Sequence, residues 1–430
     1  VDRDRGAEHV ESLASPGYFS ADLMPGLPIA FVSSTEPWEH LEFTPEAIFD
    51  AEAQRLNKLV AQLPDASQHD IERWLTLAAD QFIVLPGSRM EEQALARASG
   101  DEARTVIAGY HWFTDWGRDT MISLDGLTLC TGRYREARSI LRTFANYMQD
   151  GLLPNLFPEG QRKALYHTVD ATLWYFHALD RYHRVTGDSE TLLALRTVLK
   201  SVIEHHQNGT HFGIGVDRHD GLLRAGAEGY QLTWMDAKVD GWVVTPRRGK
   251  PVEIQALWYN ALRCMVEWGE MAGEETSEWA LMATRARQSF NERFWRQEGG
   301  YLLDVIDGEQ GDDPSFRPNQ ILAIALQHPI LDESRWRSVV DAVEHKLLTP
   351  VGLRSLSRDH RDYKPMYFGD LRARDAAYHQ GTVWAWLIGP FIDAWLKVYK
   401  DASKSRDMLG GFHSHLLENG IGTVSEIFDA

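Results

Sequence analysis

The sequence predicts an all-α fold in which helical hairpins form a two-layer ring, an (α/α) toroid. From residue 44 onward the apolar residues recur at helical spacing, and strong strand patterns are scarce. The helices come in pairs joined by short turns such as CTGRY at 130–134 and VTGDS at 185–189. Within a pair the first helix is apolar nearly all round and the second carries charge on one face. This alternation is typical of a buried helix followed by a surface helix.

The helical region begins at Thr44, a candidate N-cap with Pro45 in the first helical position. Further helices are predicted at about 68–83, 119–131, 133–149, 168–185, 189–207, 252–271, 276–297, 318–327, 331–346, 380–399 and 402–418. Five of them are inner helices, beginning at about 119, 168, 252, 318 and 380.

Long glycine-rich and aromatic loops precede the inner helices, at 84–118, 150–167, 208–251, 298–317 and 347–379. Because each loop leads into the N-terminus of an inner helix, we expect the loops to share one end of the ring. Loops of this length in a compact domain are usually functional, so this end is the expected location of a site.

Composition limits the class of protein. A chain of 430 residues, 43% of them hydrophobic, can bury a large core. The net charge of −18 argues against a nucleic-acid partner, and no apolar run approaches the ~20 residues needed to cross a membrane. The chain begins with Val1, so a missing N-terminus could hide a signal peptide. Cys130 and Cys264 lie in apolar helical stretches outside any CxxC pattern, which predicts two buried cysteines in a reducing cytoplasm.

The first inner helix begins in HWFTDWGRDT, where polar and aromatic side chains are concentrated. A helix cap and an ion pair could account for Asp115, Arg118 and Asp119. Polar groups held between Trp112 and Trp116 also suit a sugar ring, which has hydroxyls at its rim and C–H groups on its faces.

Other inner helices begin with a similar mixture. Each residue alone could be a cap or a satisfied polar contact, but together they predict a site for a neutral, polyhydroxylated ligand. The residues are His167 and Asp170 in HTVD, Arg317, Asn319 and Gln320 in RPNQ, and His379 and Gln380 in YHQGTVW. No set of side chains indicates a metal or another cofactor.

Two acids stand out because of their apolar neighbours. LTWMDA places Asp236 two residues after Trp234, and TVSEIFDA places Glu426 near the end of the chain. They could be capping or ion-pairing residues, or an acid/base pair that the fold brings together.

Residues from about 68 to 430 resemble the amylo-α-1,6-glucosidase portion of glycogen debranching enzymes. The matching stretches, in the order found in that family, are WFTDWGRDTMISLDGL, LPNLFPEG, HTVDATLWYFHALDRY, LTWMDAKVDGWVVTPRRGKPVEIQALWYNAL, RPNQILAIAL, YHQGTVWAWLIGPF and GTVSEIFDA. The resemblance implies an (α/α)6 barrel that removes the single α-1,6-linked glucose of a trimmed glycogen branch point with anomeric inversion. By motif, Asp236 takes the general-acid position and Glu426 the general-base position.

The implied chemistry explains the apolar neighbours. Desolvation and a second carboxylate should raise the pKa of Asp236, so that it can protonate the bridging oxygen while Glu426 activates a water molecule. In inverting enzymes the two carboxyls stand roughly 6.5–9.5 Å apart to admit that water. The expected partners are glycogen, limit dextrin or another α-glucan, with neither nucleic acid nor membrane.

The chain departs from the family pattern at both ends. Residues 1–43 read as a linker or the remnant of a preceding β-rich domain, and residues 44–430 as the catalytic domain. The sixth inner helix would follow Ala430, so we expect a chain truncated there, a late helix within it, or an N-terminal helix in its place.

Rival functions are another inverting glucosidase of glucoamylase or trehalase type, an inverting phosphorylase, and an impaired carbohydrate-binding protein.

Overall fold

A computed structural model describes residues 12, 14–15, 17–34, 37, 39, 44–63, 70–87, 89–98, 100, 102–110, 114–157, 164–418 and 422–430. They belong to two compact units, Val1–Gln68 and His69–Ala430. Much of the predicted linker or remnant over residues 1–43 lies outside the described residues. Its described residues are all exposed and include one isolated bridge between Met24 and Leu27.

The first unit contains helix α1 (Pro45–Ala61), which the sequence analysis placed in the helical domain. The predicted N-cap is confirmed, because Thr44 Oγ1 accepts a hydrogen bond of 3.2 Å from the Ala47 backbone N–H, and Pro45 occupies the first turn.

The second unit is mainly helical. Its helices are α2 (Asp70–Phe82), α3 (Met90–Ala98), α4 (Gly117–Leu124), α5 (Tyr134–Asn146), α6 (Asp170–Thr186), α7 (Ser189–Asn208), α8 (Val252–Met271), α9 (Ser277–Arg293), α10 (Leu322–Ala325), α11 (Glu333–Leu347), α12 (Leu371–Tyr378), α13 (Ile388–Tyr399), α14 (Ala402–Asp407) and α15 (Gly411–His415). A π-helical turn at Asp125–Leu129 continues α4, and 3₁₀ turns precede α10 and α13.

The strands are short. They are β1 (Ile83–Val84), β2 (Thr105–Val106), β3 (Gly215–Val216), β4 (Leu223–Arg224), β5 (Lys238–Val239), β6 (Trp242–Val243), β7 (Lys250–Pro251), β8 (Trp295–Arg296), β9 (Tyr301–Leu302), β10 (Val305–Gly308), β11 (Gly311–Asp313), β12 (Leu348–Thr349), β13 (Gly352–Arg354), β14 (Val383–Trp384) and β15 (Ile427–Phe428). Their pairings are antiparallel, and most form hairpins in the loops before the inner helices.

Five inner helices follow one another around the described part of the ring. Helix α4 packs against α6, α6 against α8, α8 against α10, and α10 against α13. Helix α8 buries side chains nearly all round its axis, whereas the outer helix α9 buries only the stripe Ala283, Ala286, Phe290 and Asn291. The predicted alternation of buried and amphipathic helices is therefore confirmed.

Some predicted boundaries are wrong. The predicted loops 84–118 and 347–379 contain α3 and α12, and the helix predicted at 380–399 begins only at Ile388. Before it, β14 pairs with β13 and β15, so sheet hydrogen bonds replace the first helical turns. The helix predicted at 402–418 is broken between α14 and α15 at the Gly410–Gly411 pair, since glycine weakens a helix.

A four-stranded sheet in the order β12–β13–β14–β15 holds the end of the chain against the ring. Trp384 of β14 pairs with Ile427 of β15, and the Ala385 N–H donates to the Glu426 carbonyl at 3.2 Å. The Ala430 N–H also donates to the Pro365 carbonyl at 2.8 Å. These bonds fix the backbone that carries Glu426.

Cys264 is buried, as predicted, but Cys130 is exposed, so its predicted burial is wrong. Cys130 is the C-cap residue of the π-helical turn, and its exposure follows from that position at the end of the helix. Among the described residues, no helix is both long and apolar enough to span a membrane.

Candidate active site

Arg118 joins the first turns of two inner helices to Asp236. Its Nε bonds both carboxylate oxygens of Asp170, at 2.9 and 2.8 Å, and its Nη1 donates to Asp236 Oδ2 at 2.8 Å. Arg118 lies in the first turn of α4, and Asp170 is the first residue of α6. The sequence predicted all three residues for the site, and the fold brings them together.

The approach of α4 to its neighbours depends on Gly117. A Cβ atom at this position would lie 2.1 Å from the Pro154 carbonyl oxygen, so a larger residue would push the turn away. The Gly117 and Arg118 N–H groups donate to Asn155, one to its backbone carbonyl at 3.0 Å and one to its Oδ1 at 3.3 Å. These contacts fix the point from which the Arg118 side chain extends.

Asp236 lies on an irregular segment between β4 and the hairpin β5–β6. The Val169 N–H donates to the Leu232 carbonyl at 2.8 Å, and the Ala237 N–H donates to His379 Nδ1 at 3.4 Å. The segment is therefore held on both sides of the acid. Arg118 binds Oδ2, which leaves Oδ1 as the oxygen that can carry a proton.

Glu426 precedes β15, and Tyr378 is its hydrogen-bond partner. Tyr378 Oη donates to Glu426 Oε2 at 2.5 Å. Tyr378 was missed by the sequence analysis, although it begins the stretch YHQGTVW. It is the last residue of α12, and that helix could not be predicted inside the long loop.

The pKa values of both acids are raised, and Asp236 contributes to the shift of Glu426. Burial raises the pKa of Glu426, the Tyr378 hydrogen bond lowers it, and the negative charges of Asp119 and Asp236 raise it. Burial also raises the pKa of Asp236, while Arg118 opposes that shift and Asp170 adds to it. The Asp236 side chain is 37% exposed, so it is accessible to water although surrounding protein desolvates it. Such an environment is typical of a cleft.

Asp119 and His167 lie beside the same groups. Burial raises the pKa of Asp119, Arg118 lowers it, and Asp236 raises it. Burial lowers the pKa of His167, as does the charge of Arg118, whereas Asp236 raises it. The net effect lowers the pKa of His167, which favours the neutral form of its imidazole.

Behind Asp236 is an aromatic wall centred on Trp234. Its ring meets His379, Trp384 and Trp386 edge to face, with centroid separations of 5.4, 5.1 and 5.4 Å. Trp234 Nε1 donates to Asn319 Oδ1 at 2.8 Å, so the one polar atom of the indole is satisfied within the protein. Trp234, His379 and Trp384 are almost completely buried, so the wall is a packed aromatic layer fixed by hydrogen bonds.

Five predicted ligand-binding residues belong to this wall and its support. Arg317, Asn319, Gln320, His379 and Gln380 are all buried. Arg317 donates to the His379 carbonyl at 2.8 Å and to Gln380 Oε1 at 2.9 Å. Gln320 Oε1 accepts from the Leu302 N–H at 3.1 Å. Their hydrogen bonds go to the protein and stabilise the surface behind the acid.

Asp115 is also buried, between Arg89 and Thr105. The Arg89 guanidinium donates to Asp115, and Thr105 Oγ1 donates to it at 2.8 Å. The Trp116 backbone bridges to Leu156. Trp112 lies outside the described residues. Arg89 was missed because an isolated arginine in a long loop gives no sequence signal.

A buried ion network continues the support of the wall. Arg247 binds Glu253 at 2.7 Å and Asp304 at 2.8 Å, and all three side chains are almost completely inaccessible. Asp304 Oδ1 in turn accepts from Asn319 Nδ2 at 2.8 Å, and Asn319 bonds Trp234. The network therefore connects the core to the wall behind Asp236.

We expect Arg247→Met to lower the free energy of unfolding by about 3–5 kcal/mol, because it removes the guanidinium that balances the charges of two buried carboxylates. Urea titration would measure the change. The matched control is Arg337→Met, whose side chain is 74% exposed and pairs with Asp341 at 3.8 Å. A surface pair of this kind contributes less than about 1 kcal/mol to the free energy of unfolding. Equal losses in the two variants would contradict a supporting role for the buried network.

Three acids outside the site surround a lysine. Asp217, Asp220 and Asp307 lie close enough together to suggest a metal site. The Lys250 ammonium lies among them, at 2.9, 2.7 and 2.7 Å from their carboxylates. Arg293 also pairs with Asp220 and Asp307, so two cations already bind these acids, and the chemistry of the cluster fits a structural ion network better than a metal site.

Comparisons with known proteins agree with this architecture. Residues 77–430 match the amylo-alpha-1,6-glucosidase family. The glycogen debranching enzyme of Saccharomyces cerevisiae is 25% identical over 404 residues, which cover 71% of this chain and 26% of the yeast protein. The chain thus spans about a quarter of the length of that relative. A mannosylglycerate hydrolase from Thermus thermophilus, solved with Tris, has a TM-score of 0.53 at 14% identity, covering 80% of this chain and 94% of that one.

The family match over residues 77–430 defines the class: the protein is a glycoside hydrolase. The predicted (α/α)6 barrel fold is confirmed by the structural neighbour. More particularly, the chain belongs to the amylo-alpha-1,6-glucosidase family, which confirms the resemblance found in the sequence.

Proposed function

We propose that this protein hydrolyses the single α-1,6-linked glucose at trimmed branch points of glycogen or limit dextrin, with inversion at the anomeric carbon. The observation that carries the proposal is a pair of anchored acids: Asp236 is held by Arg118, Glu426 is held by Tyr378, and the charge of Asp236 contributes to the raised pKa of Glu426. The family match and the yeast relative support the choice of substrate. The free cysteines are compatible with a cytoplasmic location.

In this mechanism Asp236 is the general acid. It donates its proton to the bridging oxygen as the bond from that oxygen to glucose C1 breaks. The glucan chain leaves with a free 6-hydroxyl group. The raised pKa of Asp236 keeps the proton available at higher pH than an ordinary aspartate would.

Glu426 is the general base. It removes a proton from a water molecule that attacks C1 from the face opposite the departing oxygen, which gives β-glucose. The Tyr378 hydrogen bond to Oε2 orients the carboxylate and leaves Oε1 to face the water. Solvent then returns the protons to their starting positions.

The other predicted site residues have two roles in the proposal. Arg118 and Asp170 orient Asp236, while Asp119, His167 and Trp116 are candidates to contact sugar hydroxyls or faces. Arg317, Asn319, Gln320, His379 and Gln380 position the wall that carries Trp234, and Asp115 holds the loop before α4.

A substrate panel tests the proposal. The purified protein would be given phosphorylase limit dextrin trimmed to single glucose branches, linear maltooligosaccharides and α,α-trehalose, and free glucose would be measured. We expect glucose from the trimmed dextrin alone. Preferential cleavage of maltooligosaccharides or trehalose would indicate a glucoamylase-type or trehalase-type enzyme. Glucose 1-phosphate formed only with added phosphate would indicate a phosphorylase.

The pH profile gives a further prediction. Activity requires ionised Glu426 and protonated Asp236, so kcat/KM should fall on the acid side as Glu426 gains a proton. Because Asp119 raises the pKa of Glu426, Asp119→Asn should move this acid limb to lower pH. The measurement is kcat/KM across the pH range for both proteins.

The control for the profile is Asp407→Asn, an exposed residue in the remote helix α14. This substitution should move neither the acid limb nor the alkaline limb of the kcat/KM profile. An acid limb that stays in place in Asp119→Asn, or moves to higher pH, would contradict the assignment of Glu426 as the group that must be ionised.

A further inference from the structure

A short row of aromatic rings leads away from the acid/base pair. The His167 ring lies 6.0 Å from Tyr230, centroid to centroid, and Tyr230 lies 4.9 Å from Phe212. Tyr230 is 46% exposed, and its hydroxyl makes no hydrogen bond with any residue that the structure describes. Phe212 packs against the hydrophobic core, but the Tyr230 ring is not required to fill it, since an exposed ring gains little from burial.

Phe212 has an unusual backbone conformation. Its φ angle is 57°, in the left-handed region, where a bulky side chain without a polar group is a genuine outlier. The other non-glycine residues with positive φ in the described chain are three aspartates and a lysine. Strain of this kind persists only where surrounding contacts enforce it, and it concentrates at functional sites.

The contacts that enforce it are on both sides of Phe212. The Gly226 N–H donates to the Phe212 carbonyl at 3.0 Å, and a Cβ on Gly213 would meet the Gly226 carbonyl oxygen at 2.7 Å. Thr210 Oγ1 donates to the Asp150 carbonyl at 2.6 Å. The turn is therefore clamped in the conformation that sets the Phe212 ring beside Tyr230.

Tyr230 and Asp236 lie on one segment of the chain. Tyr230 is six residues before Asp236, and the segment bonds to Val169 beside His167. Lys238 Nζ donates to the Gly229 carbonyl at 2.8 Å, which holds the turn before Tyr230. Six residues span at most about 20 Å, the length of a few sugar units, so Tyr230 is within reach of a chain bound at Asp236.

We propose that Tyr230, positioned by Phe212, is a stacking platform for glucose units of the departing glucan chain. This inference rests on the proposed function. The acid protonates the oxygen that leaves with the glucan, so the segment that carries Asp236 borders the leaving-group side of the cleft. Sugar rings present C–H faces that pack on an aromatic ring, and the exposed Tyr230 ring offers such a face.

The test compares two substrates with different leaving groups. Trimmed limit dextrin has a glucan leaving chain, whereas α-glucosyl fluoride has none. For Tyr230→Ala we expect kcat/KM on the dextrin to fall about 5- to 20-fold, mainly through KM, with less than about a twofold change on the fluoride. Tyr230→Phe should retain activity on both, because the ring and not the hydroxyl makes the contact. Phe212→Ala should lower kcat/KM by a smaller factor, and only on the dextrin.

The control variant is Tyr134→Ala, at the start of the outer helix α5, where a tyrosine of 45% exposure should be replaceable without effect. An unchanged dextrin kcat/KM in Tyr230→Ala would overturn the platform. So would an equal loss on both substrates, which would indicate a general structural role. Failure of the wild-type protein to cleave either substrate would instead overturn the proposed function itself.

Discussion

Asp236→Asn is expected to lower kcat on trimmed limit dextrin by roughly 100- to 10,000-fold, the contribution typical of a general acid. An amide of the same shape can still accept the Arg118 hydrogen bond but cannot supply a proton. The loss should be far smaller on α-glucosyl fluoride, because fluoride departs with little need of protonation. Steady-state kinetics on the two substrates would measure both effects.

The matched control is Asp240→Asn, in the turn between β5 and β6 four residues further along. Its side chain is 74% exposed, and its φ of 50° is one that asparagine tolerates well. Full activity in this variant would show that charge loss near the hairpin is harmless. Comparable losses of Asp236→Asn on dextrin and fluoride would contradict the general-acid role.

Glu426→Gln is expected to lower kcat on dextrin and fluoride alike, by roughly 100- to 10,000-fold, because both reactions need an activated water. The glutamine side chain can still pair with Tyr378 Oη, so the end of the chain should remain attached to β14. Thermal denaturation near the wild-type temperature would confirm that the fold is intact.

Azide separates the role of the base from that of a structural residue. This anion needs no base, and in Glu426→Ala the shortened side chain leaves room for it, so it can attack C1 of the fluoride, with departure of fluoride, to give β-glucosyl azide. Asp236→Asn offers no such vacancy at the base position and should form no more azide product than the wild-type protein. If the variant keeps its fold but azide gives no β-glucosyl azide, the result would argue against Glu426 as the base.

The helical ring was predictable because its signal is long and repeated. Helices α6 and α8 are apolar nearly all round, and the interior of a large fold accommodates such helices. The convergence of Arg118 and Asp170 was also predictable, since both lie in the first turns of inner helices at one end of the ring.

The orientation of individual side chains was not predictable. YHQG predicted His379 and Gln380 as ligand-binding residues, yet both are buried, and Tyr378 beside them reaches Glu426. A shift of one residue decides which side chain faces the cleft, and composition does not encode that shift. The strands β14 and β15 are two residues long, too short for a period-2 pattern.

Arg317 and Asn319 show the same limit. A polar residue before an inner helix can face a ligand or satisfy buried groups behind the site, and both residues have the second arrangement here. The difference depends on partners such as Asp304 that lie on another loop. Such long-range pairings are set by tertiary packing.

The most direct test of the central claim is the anomeric form of the glucose released from trimmed limit dextrin. Proton NMR spectra recorded in the first minutes, before mutarotation equilibrates the sugar, would follow the two anomeric signals. The acid/base assignment of Asp236 and Glu426 predicts that β-glucose appears first and α-glucose follows only by mutarotation. Initial release of α-glucose would contradict it, because retention requires a covalent intermediate on an enzyme carboxylate.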